Sequence, residues 1–110
     1  MSNCLIENLP FLKLLQVTES EDQHQALLDT ATPSQIRALT EICHNTLYRH
    51  CKLDRRTRKK LHKNKKLLRK VADPSKRFKS KRRYLSQSGR GIFTVLLPTI
   101  ISAVSALLAK

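Results

Sequence analysis

A chain of 110 residues with 22 Lys and Arg against 8 Asp and Glu, a net charge of +14, holds one small domain and little room for a rigid catalytic pocket. Its 2 Gly leave almost nothing for phosphate loops, hairpin turns or strand bulges, and the abundance of Leu, Lys, Arg and Ala predicts an all-α fold. A pI near 10.4 points to polyanions, nucleic acid before anionic lipid.

Met1 to Leu15 has no basic start, no long apolar run and no small-residue cleavage pattern, so it is not expected to act as a signal peptide. Three cysteines, Cys4, Cys43 and Cys51, are an odd number without framework spacing and favour a reducing compartment. Pro10 suits the first turn of a short helix with Leu12 and Leu15 inward. Ser20 and Gln23 form a capping-box pattern ahead of 24–28, and Thr32, Pro33 and Gln35 repeat it with Pro at the first helical position. The helix that follows, placed at roughly 33–49, carries Ile36, Leu39, Ile42, Cys43 and Leu47 at helical spacing. Residues 1–48 therefore read as a small helical module, with a net charge of −4 from Lys13 and Arg37 against Glu7, Glu19, Glu21, Asp22, Asp29 and Glu41.

Residues 49–90 reverse the sign, with nineteen cations against Asp54 and Asp73. Asp54 caps a long basic helix that Pro74 stops, and Leu61, Leu68 and Val71, widened by Leu67, form its narrow apolar stripe. That stripe is expected to pack on Ile36, Leu39 and Cys43. The stretch 76–85 fits either a helix or an extended arm. Residues 86–91 contain both glycines, Gly89 and Gly91, and read as a hinge. The last block, 91–110, is an apolar C-terminal tail helix. Gly91 to Ala109 is uncharged and would span about 28 Å, close to bilayer length. Pro98 sits near its middle, and Thr94, Pro98, Ser102 and Ser105 fall on one face suited to helix contact as well as lipid.

The cations carry the strongest chemical signal. Arg55, Arg56, Arg58, Lys59, Lys60, Lys63, Lys65, Lys66, Arg69 and Lys70 surround one short helix, and Lys76, Arg77, Lys79, Lys81, Arg82 and Arg83 extend the density. A balanced charge run is usually a solvated face. This run is self-repulsive, and a polyanion relieves it by releasing condensed counterions. Phosphate contacts position a protein without reading sequence. No helix-turn-helix register, finger or RNA-recognition motif is visible, so sequence-blind binding is expected. Tyr48, Phe78 and Tyr84 could stack on bases, although single aromatics more often pack locally. RRTRKK (55–60) and KSKRR (79–83) resemble nuclear import signals. Cys43, His44, His50 and Cys51 lack a C-x-x-C pair and read as a buried free Cys with neighbours, so no metal site, catalytic residue or cofactor is expected. The tail fits a membrane anchor flanked by positive charge, an interfacial segment or a self-association helix.

The order of a Lys/Arg-dense stretch, a Gly-containing junction and an apolar Leu-Pro tail, SKRRYLSQSGRGIFTVLLPTIISAVSALL (80–108), resembles the C-terminal part of the adenovirus core protein X precursor. With TPSQIRALTEI (32–42) and the basic helix after it, most of the chain resembles the protein-X-like core proteins of adintoviruses and Polinton (Maverick) elements. The resemblance implies a small virion core protein, found in the virion core and host nucleus, that condenses double-stranded DNA. It implies processing by a viral cysteine protease at a junction formed by Gly89, Arg90 and Gly91, with Gln87 standing where an aliphatic residue is the rule. It also leaves capsid proteins or a second copy as partners for the tail. Two other readings stay open: a tail-anchored membrane protein whose basic block grips anionic lipid, and an RNA-binding module resembling a ribosomal accessory protein.

Overall fold

The structure is a computed structural model that describes residues 3–48, 55–87 and 90–108, with residues 57, 87 and 90–94 described in their backbone only. Among the described residues it is all-α: α1 (Asn3–Glu7), α2 (Leu9–Val17), α3 (Glu21–Asp29), α4 (Pro33–Tyr48), α5 (Arg55–Lys63), α6 (Lys65–Ala72), α7 (Phe78–Gln87) and α8 (Arg90–Leu108).

The start signals work as the residue types dictate. Ser20 Oγ accepts the backbone N–H of Gln23 at 3.4 Å and opens α3. At α4 the box is reciprocal: Gln35 N–H donates to Thr32 Oγ1 at 3.1 Å, and Thr32 N–H donates to Gln35 Oε1 at 2.9 Å. Pro10 lies in the first turn of α2. The short α1 has no signal in the sequence reading. It is held from outside, by Asn8 Nδ2 donating to Cys4 O (2.8 Å) and to Ser34 Oγ (2.9 Å) on α4.

α4 is the central element. Its buried Ile36, Leu39, Ile42, Cys43 and Leu47 meet the stripe of α6, where Leu68 and Val71 are fully buried and Leu67 partly so; the partly buried Leu61 lies on α5, which packs on α8. The expected pairing is present for Leu68 and Val71, and among the described residues α6 packs on α4 more extensively than any other helix pair, whereas the helix of Leu61 packs mainly on α8. Each fully buried Leu of this kind contributes about 1.5–3 kcal/mol.

One feature differs from the sequence expectation. The long basic helix is two helices joined at Asn64, whose side chain donates to Lys60 O at 2.8 Å and whose backbone sits near φ −102°, ψ 10°. Asn competes for backbone partners in this way and loosens a helix interior. Of the stretch 76–85, which the sequence leaves as helix or arm, residues 78–85 are helical within α7 and Lys76 and Arg77 precede it. Of the residues 86–91 expected to form a hinge, Ser86 and Gln87 finish α7, Arg90 and Gly91 begin α8, and Ser88 and Gly89 lie outside the described residues.

The tail is also accounted for. Val95, Leu96, Ile100, Ala103 and Val104 of α8 join the same core as Leu12 of α2, Leu39 of α4 and Leu68 of α6. α8 contacts α2, α4 and α5. The three charge blocks thus share one core. The radius of gyration is 12.7 Å, against about 13 Å for a compact chain of this length. A buried hydroxyl pair, Thr46 Oγ1 and Thr99 Oγ1 at 2.7 Å, ties α8 to α4. Among the described residues no helix is long and apolar enough to cross a membrane.

Candidate nucleic-acid interface

The cations reach the surface because the stripes of α5 and α6 are so narrow. With Leu61, Leu67, Leu68, Val71 and Ala72 against the core, the other described side chains of both helices are exposed or half-buried. Arg55, Arg56, Arg58, Lys59, Lys63, Lys65, Lys66, Arg69 and Lys70 are exposed, and Lys60 is half-buried. No Asp or Glu lies between Arg55 and Ala72. α7 and the turn before it add exposed Lys76, Arg77, Lys79 and Arg83. α6 packs on α7, so these cations continue the field of α6.

Two expected phosphate ligands have other duties. Arg82 is half-buried, and its Nη2 donates to Ala31 O at 2.6 Å, tying α7 to the segment after α3. Its guanidinium carbon also lies 6.0 Å from the Phe78 ring centroid. Lys81 is only 6% exposed, and its Nζ donates to Thr40 Oγ1 at 3.1 Å. Burial lowers its pKa from the ordinary lysine value, while Asp73 and Cys43 act to raise it. Sequence spacing alone cannot separate these two from their neighbours. The signal that distinguishes them is contact with α3 and α4, which is tertiary.

The aromatics divide. Tyr84 is half-buried against the core beneath Lys70, whose Nζ is 5.4 Å from the ring centroid. Tyr48 is exposed at the end of α4 and tilts against His44 with centroids 4.9 Å apart. Phe78, 40% exposed, opens α7 beside the basic turn.

Comparison with protein-family models, curated proteins and solved structures gives no match. The site is therefore judged on its own chemistry.

Cys43 is buried in the α4 stripe, and burial pushes its thiol up to about 12 against the opposing influence of Lys81. Such a thiol is a packing group, since the thiolate is the reactive and metal-binding form. Among the described residues no three His, Cys, Asp or Glu side chains gather as metal ligands would; His50 and Cys51 lie outside them. Other acids lie elsewhere: Glu7, Glu21, Asp22 and Asp29 are exposed on the N-terminal helices, Glu19 is exposed before α3, Glu41 is half-buried on α4, and Asp29 accepts hydrogen bonds from Ser86 and Gln25. Asp73, at the end of α6, accepts from Ser75 N–H (2.9 Å) and Ser75 Oγ (2.8 Å), which lowers its pKa. The only carboxylate between Arg55 and Arg83 is thus occupied by its own turn.

Of the expected cleavage junction, Gly89 lies outside the described residues, and Arg90 and Gly91 form the first turn of α8.

Proposed function

We propose that this protein binds and condenses double-stranded DNA without reading its sequence, as a non-enzymatic core protein of a virus or virus-like element. The observation that carries the reading is the field of exposed cations from Arg55 to Arg83, held outward by narrow apolar stripes that seat α6 on α4 and α5 on α8. Crowded cations store repulsion at the surface, and phosphates release it together with their own counterions. A net charge of +14 on 110 residues lets each copy neutralise several phosphates while residual attraction draws further strands together.

The virion core and host nucleus are the compartments that this reading assigns, on the resemblance of 80–108 and 32–42 to protein-X-like core proteins. Capsid proteins, or a second copy of the chain, are the partners it leaves for the outer face of α8, where Ile101 and Leu108 are exposed. A tail anchor would have to withdraw Val95, Leu96 and Ile100 from the core, so the packing of α8 favours the DNA reading.

Binding to two unrelated duplexes across a range of salt tests the proposal. If about ten phosphates are neutralised, log K falls against log salt with a slope near −9 on both duplexes. A flat response, or a large preference for one duplex, overturns it.

A further inference from the structure

Between α4, α7 and the turn after α6 lies a groove of about 310 Å³ lined by Pro33, Ile36, Arg37, Thr40, Pro74, Lys76, Phe78 and Lys81. It differs in kind from the convex field on α5 and α6. Three of its walls are cationic, and none is acidic.

Lys81 is the decisive residue. A lysine 94% shielded from solvent is rare unless paired, because its charge loses hydration. Its one hydrogen-bond acceptor among the described contacts is Thr40 Oγ1, at 3.1 Å. Thr40 directs its own hydroxyl hydrogen to Ile36 O at 2.9 Å, so its oxygen is oriented to accept from Lys81. A neutral hydroxyl fixes the ammonium without neutralising it. The nearby Asp73 carboxylate, held by Ser75, keeps its charge and attracts Lys81 and Lys76, a single negative charge against the groove's three cations. The ammonium has three donors, and Thr40 accounts for one. Arg37 on α4 and Lys76 in the turn are exposed and reach the same groove from other sides. Phe78 supplies a half-open apolar wall on which a sugar or base can rest.

We propose that this groove is a discrete phosphate site, formed by Lys81, Arg37 and Lys76 beside Phe78. The Lys81 ammonium, fixed on Thr40, supplies the positioned charge, Arg37 supplies planar donors matched to phosphate oxygens, and Lys76 closes the rim. The nucleic-acid reading above supplies the source of that phosphate as one backbone group of a bound strand. The site's affinity for the phosphate group rests on the groove alone. Such a contact registers the protein on a strand at one point, where the cations of α5 and α6 hold it loosely at many.

The test titrates inorganic phosphate into the full-length protein and follows backbone amide resonances. Saturable shifts are expected at Thr40, Lys76, Phe78 and Lys81. Lys81→Met, which keeps the buried stem and removes the charge, weakens this response at least tenfold; Arg37→Gln, at an exposed position, does the same in a chain whose folding is not in question. Lys13→Gln, an exposed cation on α2, leaves it unchanged. Shifts that rise linearly and spread along Arg55–Lys70, or a phosphate response in Arg37→Gln equal to that of the parent, overturn the site. A second arm adds duplex DNA to the phosphate-saturated protein. Displacement of phosphate identifies the strand backbone as the source. Saturable phosphate binding that DNA does not displace identifies a free phosphate as the ligand. If DNA binds with the steep salt slope but phosphate does not saturate, this site fails and the DNA reading stands. If phosphate saturates and no duplex binds, the site stands and the DNA reading fails.

Discussion

Helices α4 and α6 meet along apolar stripes, yet they use their residues for opposite ends. α4 buries Ile36, Ala38, Leu39, Ile42, Cys43, Thr46 and Leu47 and touches α1, α6, α7 and α8. α6 buries Leu68 and Val71 and gives nearly everything else to charge. The wide stripe organises the fold. The narrow one only fastens a cationic surface to it. A short helix of such repulsive composition has little stability of its own and depends on packing. The difference teaches that charge on α6 is a surface choice that the fold tolerates, while its two inward residues are not negotiable.

The sharpest break of that comparison is Leu68→Asp. An unpaired carboxylate in the α4–α6 contact should cost about 3–5 kcal/mol and unfold much of the population, read as a lower urea midpoint. Leu61, half-buried, should give a smaller loss for the same change. An unchanged midpoint for Leu68→Asp would show that the stripe is not buried.

The outer face should behave in the opposite sense. Replacing exposed Lys65, Lys66 and Arg69 with Gln should leave thermal stability equal or higher, because self-repulsion falls. DNA binding should weaken, with the salt slope shallower by about 2.7. A slope that does not move would remove α6 from the interface.

A finer test concerns how α4 holds its last partner. Thr46→Val should cost about 1–2 kcal/mol by removing the partner of the buried Thr99 hydroxyl, Thr99→Val should cost less because Thr46 keeps its bond to Ile42 O, and the double variant should cost less than the sum. Additive losses would mean that the hydroxyls do not interact. The smallest effect is a pH dependence. The Cys43 pKa is about 12 in the fold against 9.0 ordinarily, so the unfolded chain releases this proton first. The stability tied to Cys43 is full below about pH 9 and is lost as pH rises toward the folded value, by roughly 1 kcal/mol near pH 10. Lys81 has the opposite sign: its lowered pKa makes its burial less costly as pH rises toward the ordinary 10.5. The midpoint of the parent minus that of Cys43→Val should therefore decline above about pH 9, with Lys81 common to both. A constant difference would place the thiol in solvent.

The sequence announces helices well where local chemistry decides. Thr32 and Gln35 start α4 by reciprocal bonds that need no tertiary help, and the apolar spacing of α4 and α6 predicts which faces meet. It is silent where a distant partner decides. α1 forms because Asn8 reaches Ser34, and Thr99 reads as one more hydroxyl in an apolar run until Thr46 faces it. The tail composition suits lipid, a partner or a core equally, because all three reward the same side chains. The cationic surface was legible from charge alone, but the separation of Lys81 and Arg82 from their exposed neighbours was not. It depends on how α7 lies over Thr40 and Ala31.

The burial of α8 changes what a proteolytic cut would accomplish. A protease binds its substrate extended, whereas Arg90 and Gly91 are wound into the first turn of a helix, so cutting there must wait for that turn to open. Nor would a cut at that bond release its product. Val95, Leu96, Thr99 and Ile100 would still be seated among the other helices, and the severed piece would remain as a noncovalent plug. The nicked protein should migrate as one species in native buffer and as two in denaturant. Cleavage would then act as a licence for later departure of the tail, timed by whatever loosens the core.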